Sequence, residues 1–185
     1  MKQLKRLFAF AIAALITNAS FAQMDTKMVG GAAMYPSKNI IENAVNSKDH
    51  TTLVAAVKAA GLVETLQGKG PFTVFAPTNE AFNKLPAGTV DNLLKPENKK
   101  QLTNVLTYHV VAGKLTSQEL GKLIKEGNGT ATLTTVSGGK LWVMMKGKKI
   151  GVKDESGGTA WVTIKDVNQS NGVIHVTNAV SLPKM

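Results

Sequence analysis

The sequence predicts an α+β fold, with helices in the first half of the chain and an antiparallel sheet in the second. Up to about residue 126, apolar residues recur at helical spacing between capping residues. From about residue 130, short β-branched runs alternate with Gly, Asn and Asp turns. There is no cysteine, so packing alone must hold the core, and 185 residues suffice for one such domain. Helices followed by a meander imply that the helices pack on one side or end of the sheet.

The first residues stand outside this scheme. Lys2, Lys5 and Arg6 form a basic start, Leu7 to Ile16 is an unbroken apolar run, and Ser20-Phe21-Ala22 offers small residues at cleavage positions. That order is a secretory signal peptide, expected to be cleaved near Ala22. Crossing a bilayer takes roughly 20 apolar residues, so neither this run nor any later one reads as a transmembrane helix. The expected organisation is a signal peptide over 1–22, a flexible tether over 23–36 and a folded domain over 37–183. The expected location is secreted or periplasmic.

Charge bounds the partners. Of 22 basic residues, three lie in the leader, together with none of the 12 acids; 19 minus 12 leaves a net +7 after cleavage. The sole arginine is Arg6, so the exported chain is basic through lysine alone. Arginine is the usual bidentate reader of guanine and phosphate, and its absence argues against nucleic acid as the partner. Lysine suits loose adherence to anionic surfaces, or plain solubility.

In the helical half, Asn39 can cap a helix with Ile40, Ile41, Ala44 and Val45 on one face. Thr51 or Thr52 can cap a second, with Leu53, Val54, Val57 and Ala60 as its stripe and Gly61 as its stop. Phe72 to Ala76 reads as a buried strand ended by Pro77, because apolar groups point to both of its faces. Thr78 can cap a short helix holding Ala81 and Phe82. Pro96 suits the first position of a longer helix, in which Leu102, Val105, Leu106 and His109 share a stripe. Ser117 is expected to cap the last helix, with Leu120 and not an acid three residues on.

The strand half is expected to run Thr130–Val136, Leu141–Lys146, Lys149–Lys153, Thr159–Val167 and Val173–Val180. Turns at Ser137-Gly138-Gly139-Lys140, Gly147, Asp154 to Gly158 and Asn171-Gly172 separate these runs.

Four ordered blocks then resemble fasciclin domains. They are Ile40–Leu66 around Ala59-Ala60-Gly61-Leu62, Gly70 to Phe82, Leu106-Thr107-Tyr108-His109-Val110-Val111, and Asn171 to Val176 with Val180 and Pro183. The resemblance covers about Ser37 to Pro183. It implies a wedge-shaped antiparallel β-sandwich with several helices packed at one side, surface display or secretion, and adhesion or matrix contact. It also implies Tyr108, His109, Asp166 and Val167 as candidate partner-binding positions. Asn79 departs from the Asp usual there, which puts any role for a carboxylate at that position in doubt.

Chemistry-bearing patterns are sparse. No serine sits in a G-x-S-x-G elbow, and no histidine pair has metal-ligand spacing. Asp154 and Glu155 are adjacent, but in a glycine-rich turn that reads as a solvated tip. His109 and His175 interrupt apolar runs and read as buried structural histidines, whereas His50 beside a cap reads as solvent-facing. Met24, Met28, Met34, Met144 and Met145 could offer thioethers to copper, yet they fit tether and core composition better. Trp142 and Trp161, on neighbouring expected strands, could line an apolar groove. The sequence therefore points to a non-enzymatic interaction module with no cofactor. Its expected partner is protein or polysaccharide at a cell surface or matrix. The alternative is a carrier of a small apolar ligand such as a pigment or lipid. Oligomeric state is left open.

Overall fold

The computed structural model describes residues 26–184, so the leader and its cleavage point lie outside the described residues. The described residues begin with a hairpin, β1 (Lys27–Val29) and β2 (Ala32–Met34). Gly30 and Gly31 adopt φ of 58° and 76°, the paired left-handed geometry that a two-residue hairpin turn demands. Val29 and Met34 are buried. Gly30 O also accepts the backbone N–H of Lys48. Most of the stretch expected as a tether is therefore folded, because two of its apolar side chains find the core.

Four described helices of five residues and three of ten follow. Helix α1 (Ile40–Ala44) starts in a full capping box, Asn39 with Glu42. A 3₁₀ turn (Lys48–His50) leads into α2 (Thr51–Ala60), which stops at Gly61 in the left-handed conformation. Helix α3 (Val63–Gln67) leads to strand β3 (Phe72–Pro77). Helices α4 (Asn79–Asn83), capped by Thr78, and α5 (Thr89–Leu93) come next. Pro96 opens a 3₁₀ turn that runs into α6 (Lys99–Tyr108), with His109 as its C-cap. Strand β4 (Val110–Ala112) then precedes α7 (Ser117–Glu126). Thr116, one residue before the expected cap, caps α7, and Glu119 completes the reciprocal box.

The last strands are β5 (Thr130–Thr134), β6 (Lys140–Lys146), β7 (Lys149–Lys153), β8 (Thr159–Gln169) and β9 (Gly172–Thr177). They join β3 and β4 in one seven-stranded sheet of order β4-β3-β9-β8-β7-β6-β5. The α+β class holds. The sandwich is realised as two leaves of a single sheet, hinged at β8. Register shifts between Val162 and Val167 mark the hinge, and Asp166 sits there with φ 57°. Bulges of this kind bend a strand and increase its twist. A bridge from Val111 to Thr135, with Val136 N–H donating to Val110 O, ties the two ends of the sheet together. One pairing departs from the all-antiparallel expectation: β3 and β9 run parallel, Phe72 opposite Gly172 through Pro77 opposite Thr177. Parallel neighbours need a long crossover, which the chain between these two strands supplies.

Strand β3 divides two cores. Val74 and Ala76 face the helices, packing with Ile41, Val57, Leu102 and Leu106. Phe75 faces the other way, into Tyr108, Leu120, Leu141, Val143 and Val152. Period-2 alternation with both faces apolar produces this division directly. At Gly172 a Cβ would fall 2.0 Å from Phe72 O, so only glycine lets β9 begin this close to β3.

Candidate functional site

Tyr108 and His109 end α6, and both are buried. Tyr108 Oη donates to Lys140 O at 2.7 Å and accepts Glu155 N–H at 3.0 Å. His109 Nδ1 lies 2.8 Å from Val105 O, and its Nε2 accepts the backbone N–H of Ser181 at 2.9 Å. These partners make His109 a neutral, Nδ1-protonated ring. Burial holds its pKa below the ordinary value. Both side chains tie the helix end to distant backbone: Tyr108 to the β6 and β7 side, His109 to the C-terminal segment.

Asp166 and Val167 lie elsewhere. Val167 is buried in the helix-side core. The Asp166 carboxylate accepts from Ser117 N at 2.6 Å and from Ser117 Oγ at 2.5 Å. Its own N–H donates to His175 Nδ1 at 3.3 Å, and His175 Nε2 lies 2.8 Å from Leu115 O. Burial raises the Asp166 pKa, but the Ser117 hydrogen bonds outweigh it and hold the group below its ordinary value. His175 is fully buried and stacks on Phe75 with centroids 5.7 Å apart. The serine hydroxyl meets the aspartate, while both histidine nitrogens are taken up by main-chain groups. Ser117, His175 and Asp166 thus lack the nucleophile–base contact of a hydrolytic triad. The four residues singled out by resemblance lie in two places, the end of α6 and the bulged part of β8, and Tyr108, His109 and Val167 are buried.

Two expectations about polar residues are corrected. His50 is buried and not solvent-facing: Nδ1 contacts Ser47 Oγ at 2.9 Å, while Nε2 has no hydrogen-bond partner. Its ring borders a small apolar pocket together with Val29 and Met34 of the first hairpin. Asp154 is buried and not a solvated tip. It accepts from Ser156 Oγ at 2.7 Å, Gly158 N at 2.8 Å and Leu182 N at 2.9 Å, so it shapes its turn and anchors the C-terminal segment. A neighbour from the end of the chain turns an apparent tip into a junction, which local sequence could not disclose.

Trp142 and Trp161 are both half-buried on the outer face of the sheet. They sit on β6 and β8, with β7 between them; Trp142 pairs with Lys153, and Trp161 with Gly151. They line different grooves. Trp142 shares one with Met144, Lys153, Asp154 and Glu155. Trp161 shares the other with Lys146, Lys148, Lys149 and Lys165. Neither matches the single apolar groove expected. Among the described residues, one apolar pocket lies under α1, α2 and α6, lined by Ile41, Leu53, Val57, Leu66 and Val74, and holds about 60 Å³; another, beside Val29 and Met34, holds about 30 Å³. Sequence alone does not disclose the outer face, because its lysines are spread over three strands and a turn. The signal for it is Lys146-Gly147-Lys148-Lys149, three cations around one hairpin turn.

No described helix is long and apolar enough to cross a membrane. The Fasciclin domain family model matches residues 48–183. Protein sll1483 of Synechocystis sp. is 43% identical over 193 residues, covering all of both chains. The cell surface glycolipoprotein MPB83 of Mycobacterium bovis is 31% identical over 192 residues, covering 92% of this chain and 79% of that one. Among solved structures, a FAS1 domain pair from the insect cell adhesion molecule Fasciclin I matches with a TM-score of 0.70. Its identity is 18%, over 79% of this chain and 51% of that one.

Proposed function

The chain belongs to the fasciclin domain family, and on that premise we propose that it is an exported, non-enzymatic module that engages a cell surface or matrix. The observation that carries this reading is the outer face of β6, β7 and β8, where tryptophan and lysine stand uncovered by any described helix. The names of its relatives, one a cell surface glycolipoprotein and one a cell adhesion molecule, support the same setting. Two buried histidines whose ring nitrogens are both bound to backbone favour structure over catalysis at His109 and His175.

Tyr108 and His109, the contact implied by resemblance, are both buried, which favours the open face as the place of contact. The carrier alternative draws less support. The apolar pocket under the helices holds about 60 Å³, well below the roughly 300 Å³ at which small-molecule pockets begin. The reading is tested by binding the chain without its leader to cells and matrix. Binding at low ionic strength should weaken as salt rises, since the Debye length shrinks to about 8 Å at physiological strength. No binding to any surface at low salt overturns it.

A further inference from the structure

Trp161 lies across Gly151 of the neighbouring strand. A Cβ at Gly151 would fall 2.9 Å from Trp161 Cζ3, with two more atoms of the six-membered ring within 3.3 Å. Glycine at this position therefore lets the indole lie down on the sheet. The ring also borders an open groove of about 820 Å³. Its backbone is held in place: Trp161 N–H donates to Asn178 Oδ1 at 2.8 Å, and Asn178 N–H to Trp161 O at 3.1 Å. The platform is flat, aromatic and fixed.

Lysines surround it. Lys146 and Lys149 stand directly opposite each other in the β6–β7 register, Lys148 is in the turn between them, and Lys165 comes from β8. All four are exposed, and no acid among the described residues lines this groove. Like charges opposite each other across a strand pair destabilise the sheet. A ligand carrying repeated negative charge removes that repulsion.

We propose that this groove binds an acidic polysaccharide, with the indole stacked on the apolar C–H face of a sugar ring and the lysines paired with carboxylate or sulfate groups. This rests on the interaction reading above and names its partner chemistry. Single-stranded nucleic acid fits less well. Such binding stacks successive bases on successive aromatics, and the other tryptophan of this face, Trp142, lies in a groove bordered by Asp154 and Glu155, which repel phosphate. The groove also has no arginine to grip phosphate bidentately.

The test measures affinity of the leaderless chain at low salt for polygalacturonate, dextran sulfate, neutral dextran and mixed-sequence single-stranded DNA. Binding to either acidic polymer, with none to neutral dextran, is expected. Lys146→Gln with Lys149→Gln should weaken it roughly thirtyfold, since each lysine near an anionic surface contributes about 1 kcal/mol and about 1.4 kcal/mol is tenfold. Trp161→Ala should weaken it by a similar factor, roughly that of losing one stacking platform. Trp161→Phe, which keeps a ring, should lose less and serves if the alanine variant fails to fold. The remote pair Lys95→Gln with Lys100→Gln should stay within about twofold, as exposed charges far from a site contribute little. An equal loss in the remote pair overturns the proposal, as does tighter Trp161-dependent binding to DNA. Binding to cells or matrix without binding to either acidic polymer overturns the groove assignment alone. Failure on every surface overturns the interaction reading with it.

Discussion

Tyr108 shows how much one buried hydroxyl can hold. It bridges Lys140 O and Glu155 N–H, so removing it strands a donor and an acceptor in the junction between strands. Tyr108→Phe is expected to cost about 1–3 kcal/mol, read from the urea midpoint. Burial, with the nearby Glu155 and Asp154 charges adding, pushes the Tyr108 pKa up to about 12 from 10.0. The unfolded chain ionises first, so this contribution is complete below pH 10 and is lost as pH rises towards 12. The fold should therefore weaken over that range, and Tyr108→Phe should flatten the dependence. The histidines set the acid limb. His50, His109 and His175 are all held below their ordinary 6.5, chiefly by burial. A lowered pKa gives stability that is present above 6.5 and lost as pH falls through the folded values. The thermal midpoint should drop as pH is lowered from about 7 to 5; an unchanged midpoint contradicts their burial as neutral rings.

Asn79 shows a helix start completed from outside its own segment. Helix α2 follows His50, which offers it no side-chain cap. Asn79 Oδ1 instead accepts from Thr52 N at 3.0 Å and Thr51 Oγ1 at 3.2 Å, while its Nδ2 donates to Lys48 O at 2.8 Å. The last bond needs an amide, which gives the departure from Asp a physical use: a carboxylate has no donor for Lys48 O. Asn79→Ala should cost about 1–2 kcal/mol in denaturant unfolding, the range for losing a cap. The local caps at Asn39, Gly61 and Thr78 were readable because cap and helix are adjacent in sequence. The cap on α2 was not, since its donor and acceptor come from 27 and more residues away.

The described residues build two cores separated by β3, with the first hairpin and the segment after β9 both folded in. Met34 is 2% exposed and joins the helix-side core from the first hairpin. Met34→Ala should therefore cost about 2–5 kcal/mol, the range for a buried large-to-small change. If the hairpin were a tether, the unfolding midpoint would not move. The C-terminal segment is held by Asp154 to Leu182 N and by His109 to Ser181 N. The seven-stranded sheet leaves one face of β6, β7 and β8 in solvent, and that face carries Trp161 and its lysines.

Capping residues, apolar periods and turn glycines announce the α+β class, most helices and the five C-terminal strands, because each is a short-range effect written within a few residues. The blocks shared with fasciclin domains announce the family in the same way. Long-range contacts decide the rest: the parallel β3–β9 pair, the folded first hairpin, the buried His50 and Asp154, and the burial of Tyr108, His109 and Val167. The groove at Trp161 belongs with these. Lys146 and Lys165 become neighbours only when β7 lies between β6 and β8, and Gly151 is what lets the indole rest between them.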